Sequence, residues 1–141
     1  MPLALLCLLC YIYKWRQNQS ADIPYTVLQH YFLKNDVRQS PPRFITDREI
    51  FEQYFGCAAV MGPDGQPTPI DFDTHYVIAV TRPTTELATE LFPVSLRQDD
   101  SSTVVFTYQV KIGEKRSYTT TPILLIMVDK SYYGKIRLQE L

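Results

Sequence analysis

The fold is decided by one stretch near the middle of the chain, residues 46–80, with the sequence TDREIFEQYFGCAAVMGPDGQPTPIDFDTHYVIAV. It opens with Thr46 and Glu49, which have the spacing of a capping box, where two side chains satisfy free backbone N–H groups at a helix start. The apolar residues that follow recur at helical spacing: Ile50, Phe51, Tyr54, Phe55 and Ala58. The sequence therefore predicts a short helix with one aromatic face, which ends at Gly56 in a left-handed cap or runs on through Ala59.

A loop and a buried strand follow this helix. Residues 61–69 are rich in proline and glycine, and Pro63-Asp64-Gly65 is a typical tight-turn segment. Every residue from 76 to 80 is apolar, a pattern typical of a strand covered on both faces. We therefore expect this strand, introduced by Ile70-Asp71-Phe72, to lie at the centre of a sheet and to pack against the helix.

Patterns typical of β-strands extend from this centre toward both termini. The first predicted strand is residues 23–33, and the later ones are residues 87–96, 103–112, 116–121, 122–128 and 135–141. Pro93 is predicted to lie at a sheet edge or a bulge, and Gly113 to turn the chain into a hairpin. Alternation along the third of these strands places Val104, Phe106, Tyr108, Val110 and Ile112 on one face.

These elements predict an α+β domain that is mostly antiparallel β, a β-sandwich or open barrel with one packed helix, preceded by an N-terminal apolar leader helix. A chain of 141 residues with 45% apolar residues is long enough for one such domain. The net charge is −1 and no cluster of lysine and arginine stands out, whereas nucleic acid attracts concentrated positive charge. We therefore expect no nucleic-acid partner.

The N-terminal segment predicts an attachment to a membrane. Residues 2–13 are apolar and are closed by Lys14 and Arg16, which is the length of a signal-peptide core and short for a bilayer span. We expect residues 1–16 to be a signal-like or membrane-anchoring leader, residues 17–22 a linker and residues 23–141 a single β-rich domain. Cys10 and Cys7 are candidate lipid-attachment residues. The predicted location is the cell envelope, anchored in the inner or outer membrane and facing the periplasm or the exterior.

Catalytic and metal-binding sets are weakly represented in the sequence. Cys57, His75 and Asp71 would make a thiol hydrolase only if they converged, and Cys57 among small residues is more typical of a core position. Asp71 is typical of a carboxylate that caps a loop. Asp71, Asp73 and His75 would alternate onto one strand face, but no fourth metal ligand is identifiable. The sequence therefore predicts no catalytic residue, no cofactor and no metal.

Three features are candidates for an interaction surface. Tyr132 and Tyr133 precede Gly134 and form either an exposed aromatic patch or a turn folded back onto the core. Asp71 stands at the entrance to the central strand. Six threonines predict either a solvated strand face or a threonine-lined groove: Thr84, Thr85, Thr89, Thr119, Thr120 and Thr121.

Several of these segments resemble a known family. They are Ile70-Asp71-Phe72, the strand 76–80, Thr84-Thr85 and the segment 118–122. Over residues 44–141 the layout resembles the C-terminal domain of protease-complex-associated lipoproteins, the PrcB C-terminal type, and the chain as a whole resembles small Bacteroides-type envelope lipoproteins. Where that family has a glycine-rich turn, residues 82–89 read RPTTELAT.

The resemblance implies a non-enzymatic, envelope-tethered domain that binds or stabilises another envelope protein, such as a protease complex. An edge strand such as residues 87–96 would recruit such a partner by strand addition. The alternatives are a small-ligand or carbohydrate-binding module, with Tyr132 and Tyr133 as a stacking platform, and the thiol hydrolase described above.

Overall fold

The computed structural model describes residues 21–36, 38–99 and 102–141, with nothing stated for the side chain of Ala21. Within these residues the chain forms ten strands and one helix. They are β1 (Ala21–Asp22), β2 (Thr26–Val27), β3 (Tyr31–Leu33), β4 (Phe44–Ile45), α1 (Arg48–Tyr54), β5 (Phe55–Cys57), β6 (His75–Thr81), β7 (Thr85–Gln98), β8 (Thr103–Thr120), β9 (Ile123–Asp129) and β10 (Lys135–Glu140).

The predicted leader, with Cys7 and Cys10, lies outside the described residues. Across the part of the chain that is described, no helix is long and apolar enough to cross a membrane. The predicted linker ends inside the domain, because its last two residues, Ala21 and Asp22, form β1 and pair with Gln98 and Arg97 of β7.

One long hairpin, folded onto itself, organises the domain. Strand β6 pairs with β9 and β7 pairs with β8, both antiparallel, so β6 and β7 make one arm and β8 and β9 the other. The arms bend at residues 82–84 and 121–122, which places the two halves in different sheets. We call the sheet β1-β7-β8-β10 the outer sheet and the sheet β2-β9-β6-β4 the central sheet. Among the strands of the described residues only β10 runs parallel to its neighbour, and the predicted class, mostly antiparallel β in a sandwich with one helix, is confirmed.

The central sheet is covered on both faces, as the apolar run in residues 76–80 predicts. On one face Tyr76, Ile78 and Val80 pack against Leu96, Val104 and Phe106 of the outer sheet. On the other face Val77 and Ala79 pack against α1 and the loops around it, among the aromatic rings of Phe51, Phe55 and Phe72. All five residues of the run are buried. The sandwich is thus two sheets with a third, partial layer made by α1 and the small β3–β5 sheet.

The N-terminal part of the domain differs from the prediction of one strand over residues 23–33. It forms three short strands, β1, β2 and β3, and each belongs to a different sheet. Pro24 separates the first two, and proline removes a backbone donor from a strand. His30 has a φ of 66°, a left-handed conformation that ends the extended run before β3. The chain therefore passes through the outer sheet, the central sheet and the third layer in turn between β1 and β3.

The start and end of α1 also correct the prediction. The N-cap is Asp47, not Thr46: the Asp47 side chain accepts a hydrogen bond of 2.8 Å from the Glu49 N–H. Gly56 is not a left-handed cap, because the chain passes from Tyr54 directly into β5, where Gly56 pairs with Phe32. A Cβ atom at Gly56 would lie 2.7 Å from the end of the Phe32 ring, so a larger residue here would displace that exposed ring.

The predicted turn at Gly113 is wrong, since β8 continues through it to Thr120. Three register shifts in the β7–β8 pair, one of them between Pro93 and Ser95, absorb the curvature between the two sheets. Val104 and Phe106 face the core as expected, whereas Ile112 is 55% exposed, because β8 extends beyond the central sheet.

Candidate functional site: the elbow of the long hairpin

The part of the long hairpin nearest its bend forms a two-stranded ribbon with open edges. We call residues 85–90 of β7 and 111–120 of β8 the elbow. On one side, β1 pairs only with Arg97 and Gln98, and the Ile23 N–H donates to the Leu96 carbonyl. On the other side, β10 reaches only Tyr108 of β8. Among the described residues, no further strand pairs with either edge of the elbow.

The elbow presents large apolar side chains that the described chain covers only in part. Leu87 is 40% exposed and Ile112 55% exposed. Leu87 and Thr89 lie on the same face of β7 as Leu91, which packs against the core, and Ile112 stands opposite Thr89. Leu87 and Ile112 therefore continue the core-facing row of the outer sheet past the end of the central sheet. Tyr118 is exposed as well, with Arg116 placed over its ring at 5.5 Å.

Charges and irregularities protect the elbow from indiscriminate pairing. Lys115 forms an ion pair of 3.3 Å with Glu86, and Glu90 lies opposite Lys111. Charged side chains and bulges are the usual means by which natural sheets prevent edge-to-edge aggregation. Such an edge binds a partner strand whose charges are complementary to those of the elbow, because a strand without complementary charges would leave buried charges unpaired.

The exposed apolar surface continues along β7 on its opposite face. Leu91 packs against the core, whereas its neighbour Phe92 is exposed, as side-chain alternation along a strand requires. Val94 is also exposed, at the register shift next to Pro93. Pro93 has no N–H group to donate to a neighbouring strand. Proline is therefore tolerated in a sheet only at an edge or a bulge. The expectation of a bulge at Pro93 is confirmed.

Tyr132 and Tyr133 do not form one aromatic surface. Tyr132 is half-buried and packs against the core, and its carbonyl accepts a hydrogen bond from the Tyr76 hydroxyl. Tyr133 is 73% exposed. The turn that holds them is fixed by Asp129, whose carboxylate accepts a hydrogen bond of 2.8 Å from the Ser131 N–H. That bond lowers the pKa of Asp129.

Asp71 lines an open cleft of about 510 Å³ beside the start of α1, together with Asp47, Asp73, Arg48 and Lys130. Its carboxylate accepts a hydrogen bond of 3.0 Å from the Asp73 N–H, and its carbonyl accepts one of 2.9 Å from the His75 N–H. Asp71 therefore caps the turn that leads into β6. Arg48 is held over the Phe72 ring at 5.3 Å.

Cys57 is exposed on β5, so the expectation that it is a core residue is wrong. His75 lies at the start of β6, with its Nδ1 atom 2.7 Å from the Thr74 hydroxyl. None of the hydrogen bonds resolved among the described residues joins Cys57 to His75 or Asp71. The same residues contain no group of three His, Cys, Asp or Glu side chains placed to hold a metal ion.

A second surface was not singled out by sequence reasoning. Arg38, Arg43 and Arg82 line two adjoining grooves next to the elbow. Two of the predicted groove threonines, Thr84 and Thr121, are there too, with their hydroxyl groups 2.7 Å apart. Arg38 and Arg43 lie on the connection before β4, whereas Arg82 follows β6 and is distant in the sequence, so only the tertiary structure brings it beside the other two.

No family model matches the chain, and no curated protein or solved structure is significantly similar to it. The resemblance to the PrcB C-terminal type therefore stays a prediction.

Proposed function

We propose that this protein is a non-enzymatic domain that binds another protein of the cell envelope along the elbow and the adjoining edge of β7. The observation that carries the proposal is the pair of open strand edges beside the uncovered side chains of Leu87 and Ile112. An extended segment of a partner gains backbone hydrogen bonds along such an edge, and side chains on alternate positions give the specificity.

The apolar row supplies the affinity of such a contact. Completing the burial of a large aliphatic side chain that is about half exposed contributes on the order of 1 kcal/mol. Leu87 and Ile112 lie on one face of the hairpin, and Phe92 and Val94 lie on the other. A strand added along the β7 edge presents alternate side chains to the two faces, and the charge pair Glu86–Lys115 sets its register.

The cellular location is part of the same proposal. It is supported by the apolar run at residues 2–13, which is closed by Lys14 and followed by a polar spacer. A leader of this kind carries the domain to the envelope, where Cys10 or Cys7 is the candidate for lipid attachment. The resemblance to protease-complex-associated lipoproteins favours a protease complex as the partner.

The two alternatives have less support. A carbohydrate-binding platform needs neighbouring aromatic rings on one surface, whereas Tyr132 packs against the core and Tyr133 alone is exposed. A thiol hydrolase needs a base that contacts the thiol, and the His75 ring has its hydrogen bond with Thr74 instead.

The test is site-specific photocrosslinking in native envelopes. A photoreactive amino acid replaces Ile112 in the elbow or, as the matched control, Met61, which is fully exposed on the loop before β6. We expect one recurrent adduct from position 112 and none of the same mass from position 61. The substitution Leu87→Lys, made in the same chain, is expected to weaken the adduct about tenfold, because it places a charge in the apolar contact.

Equal adducts from both positions, or an adduct that Leu87→Lys leaves unchanged, would show that the elbow is not the contact surface. Circular dichroism of each variant confirms that the chain is folded before crosslinking is interpreted.

A further inference from the structure

The groove that adjoins the elbow is a basic site with a defined shape. It lies between the segment that precedes β4, the end of β6 and the C-terminal end of β10. Two cavities, of about 330 and 490 Å³, form it, and they share the residues Ser40, Pro41 and Thr81. Because the cavities adjoin, the groove is elongated and accepts an extended chain more readily than a compact ligand.

Positive charges outnumber negative charges in the groove. Three guanidinium groups line it, those of Arg38, Arg43 and Arg82, against one carboxylate, that of Glu140. Glu140 forms an ion pair of 2.5 Å with Arg82. Among the described residues, no carboxylate lies within ion-pairing distance of Arg38 or Arg43. Asp36 lies two residues before Arg38, and both residues line a further depression that adjoins the groove.

Polar donors and an open strand edge accompany these charges. The hydroxyl groups of Thr84 and Thr121 lie 2.7 Å apart at one end of the groove. Burial, and after it the neighbouring Glu140 carboxylate, raise the pKa of Tyr108, whose hydroxyl is hydrogen-bonded to Glu140. Strand β4 pairs only with Val77 and Ile78 of β6, and the Arg43 carbonyl accepts from the Ala79 N–H.

Beyond Ala79, the edge of β6 faces the groove rather than a neighbouring strand. The chain on that side continues into Pro41 and Pro42, and proline has no N–H to donate across the edge. An extended segment lying in the groove would therefore have the backbone of Thr81 beside it as well as the arginine side chains.

We propose that this groove binds an acidic, extended segment of a protein partner, with aspartate or glutamate side chains on Arg38, Arg43 and Arg82. The guanidinium group binds planar carboxylates through charge-assisted hydrogen bonds, and Arg82 already donates one to Glu140 inside the groove. Glu140 occupies the place of one ligand carboxylate. The site is separate from the elbow, and its function does not depend on the partner proposed there.

The test is binding of a fluorescent peptide to the full 141-residue chain in mild detergent, measured by polarisation. The probe is an extended peptide of about eight residues that alternates glutamate and threonine, and its control has glutamine in place of glutamate. We expect the glutamate peptide to bind and the glutamine peptide to bind at least about tenfold more weakly.

Four variants locate the site. Arg43→Gln and Arg38→Gln are each expected to weaken binding about fivefold, and the matched control Arg137→Gln, which removes the same charge from the exposed side of β10, by less than about twofold. Glu140→Gln is expected to tighten binding about threefold, because it frees Arg82 for the ligand. A gain in affinity is a result that misfolding does not produce.

Three results would overturn the proposal: an equal loss with Arg137→Gln, weaker or unchanged binding with Glu140→Gln, or equal binding of the glutamine peptide. Displacement of the peptide by inorganic phosphate at a concentration below the peptide's own would also overturn it, in favour of a phosphate-bearing ligand. Elbow variants such as Leu87→Lys are expected to leave peptide binding unchanged, so a failure here is distinguishable from a failure of the elbow.

Discussion

The hydroxyl group of Tyr76, in the central strand β6, donates a hydrogen bond of 2.5 Å to the backbone carbonyl of Tyr132, in the turn before β10. Tyr76 is fully enclosed between the two sheets. This bond joins the turn before the last strand of the outer sheet to the core of the central sheet, against which Ile136 and Leu138 of β10 also pack. At this turn Tyr132 packs against the core, while its neighbour Tyr133 is exposed.

The variant Tyr76→Phe tests this bond through the pH dependence of stability. Burial raises the pKa of Tyr76 to about 12 in the folded state, against about 10 when unfolded. A group with a raised folded pKa contributes stability that is complete below pH 10 or so and is lost as the pH rises toward about 12. At about pH 7 we expect Tyr76→Phe to lower the free energy of unfolding by about 1 kcal/mol, because a buried hydrogen bond is lost.

Above about pH 10 the parent chain is expected to lose stability that the variant does not lose, because only the parent has a buried hydroxyl to ionise. The difference in the free energy of unfolding between parent and variant should therefore shrink with rising pH and then change sign. Urea unfolding at about pH 7 and about pH 11 measures both values. The control is Tyr133→Phe, whose ring is exposed and whose substitution should matter little. A Tyr76→Phe difference that is the same at both pH values would contradict the prediction.

A second prediction concerns which residue caps α1. Asp47 accepts the hydrogen bond from the Glu49 N–H, so Asp47→Ala should lower the free energy of unfolding by about 1 kcal/mol. Thr46→Ala is the matched control, because Thr46 lies one residue outside the cap, and it should cost less than about 0.5 kcal/mol. Thermal unfolding of the two variants compares them directly. A larger loss for Thr46→Ala would restore the capping box that the sequence alone suggests.

The sequence was most informative where the signal is local. The apolar run 76–80 predicts a strand covered on both faces, because an apolar side chain at every position indicates that every position is buried. The structure agrees. The helix was also predicted, with its cap misplaced by one residue, since threonine and aspartate both serve as N-caps.

Features set by long-range packing could not be predicted in this way. Gly113 is a turn signal in isolation, but the pairing of β8 with β7 passes through it, because glycine is also tolerated where two strands approach closely. The arginine groove combines Arg38 and Arg43, from the connection between β3 and β4, with Arg82, from the connection between β6 and β7, and no spacing rule links the two connections. The side chains of the elbow are exposed because the central sheet ends before it, and the end of that sheet is defined only by the topology.

A third prediction tests the contact between Gly134, in the turn before β10, and Ser102, in the turn before β8. A Cβ atom at Gly134 would lie 1.9 Å from the Ser102 carbonyl oxygen, next to the bond from the Lys135 N–H to that same oxygen. Gly134→Ala should therefore lower the free energy of unfolding by about 2 kcal/mol, since the obstacle is backbone and must shift. Gly113→Ala is the control: its Cβ would stand 3.4 Å from Ala88, an ordinary contact. Urea unfolding that shows equal losses would mean that the two turns do not touch as described.

A final prediction asks whether the elbow is open to a partner, using two residues on the same face of β8. Val104 is completely buried in the core, so Val104→Ala should lower the free energy of unfolding by about 2 kcal/mol. Ile112 is 55% exposed, and Ile112→Ala should cost less than about 0.5 kcal/mol in the isolated chain, because water already surrounds much of its side chain. The decisive measurement is urea unfolding of both variants without a partner. If Ile112→Ala costs as much as Val104→Ala, the chain itself covers that side chain and the elbow is not the binding surface. If the cost is small while the crosslink from position 112 persists in the envelope, the apolar row beyond the central sheet has a role in binding rather than in folding.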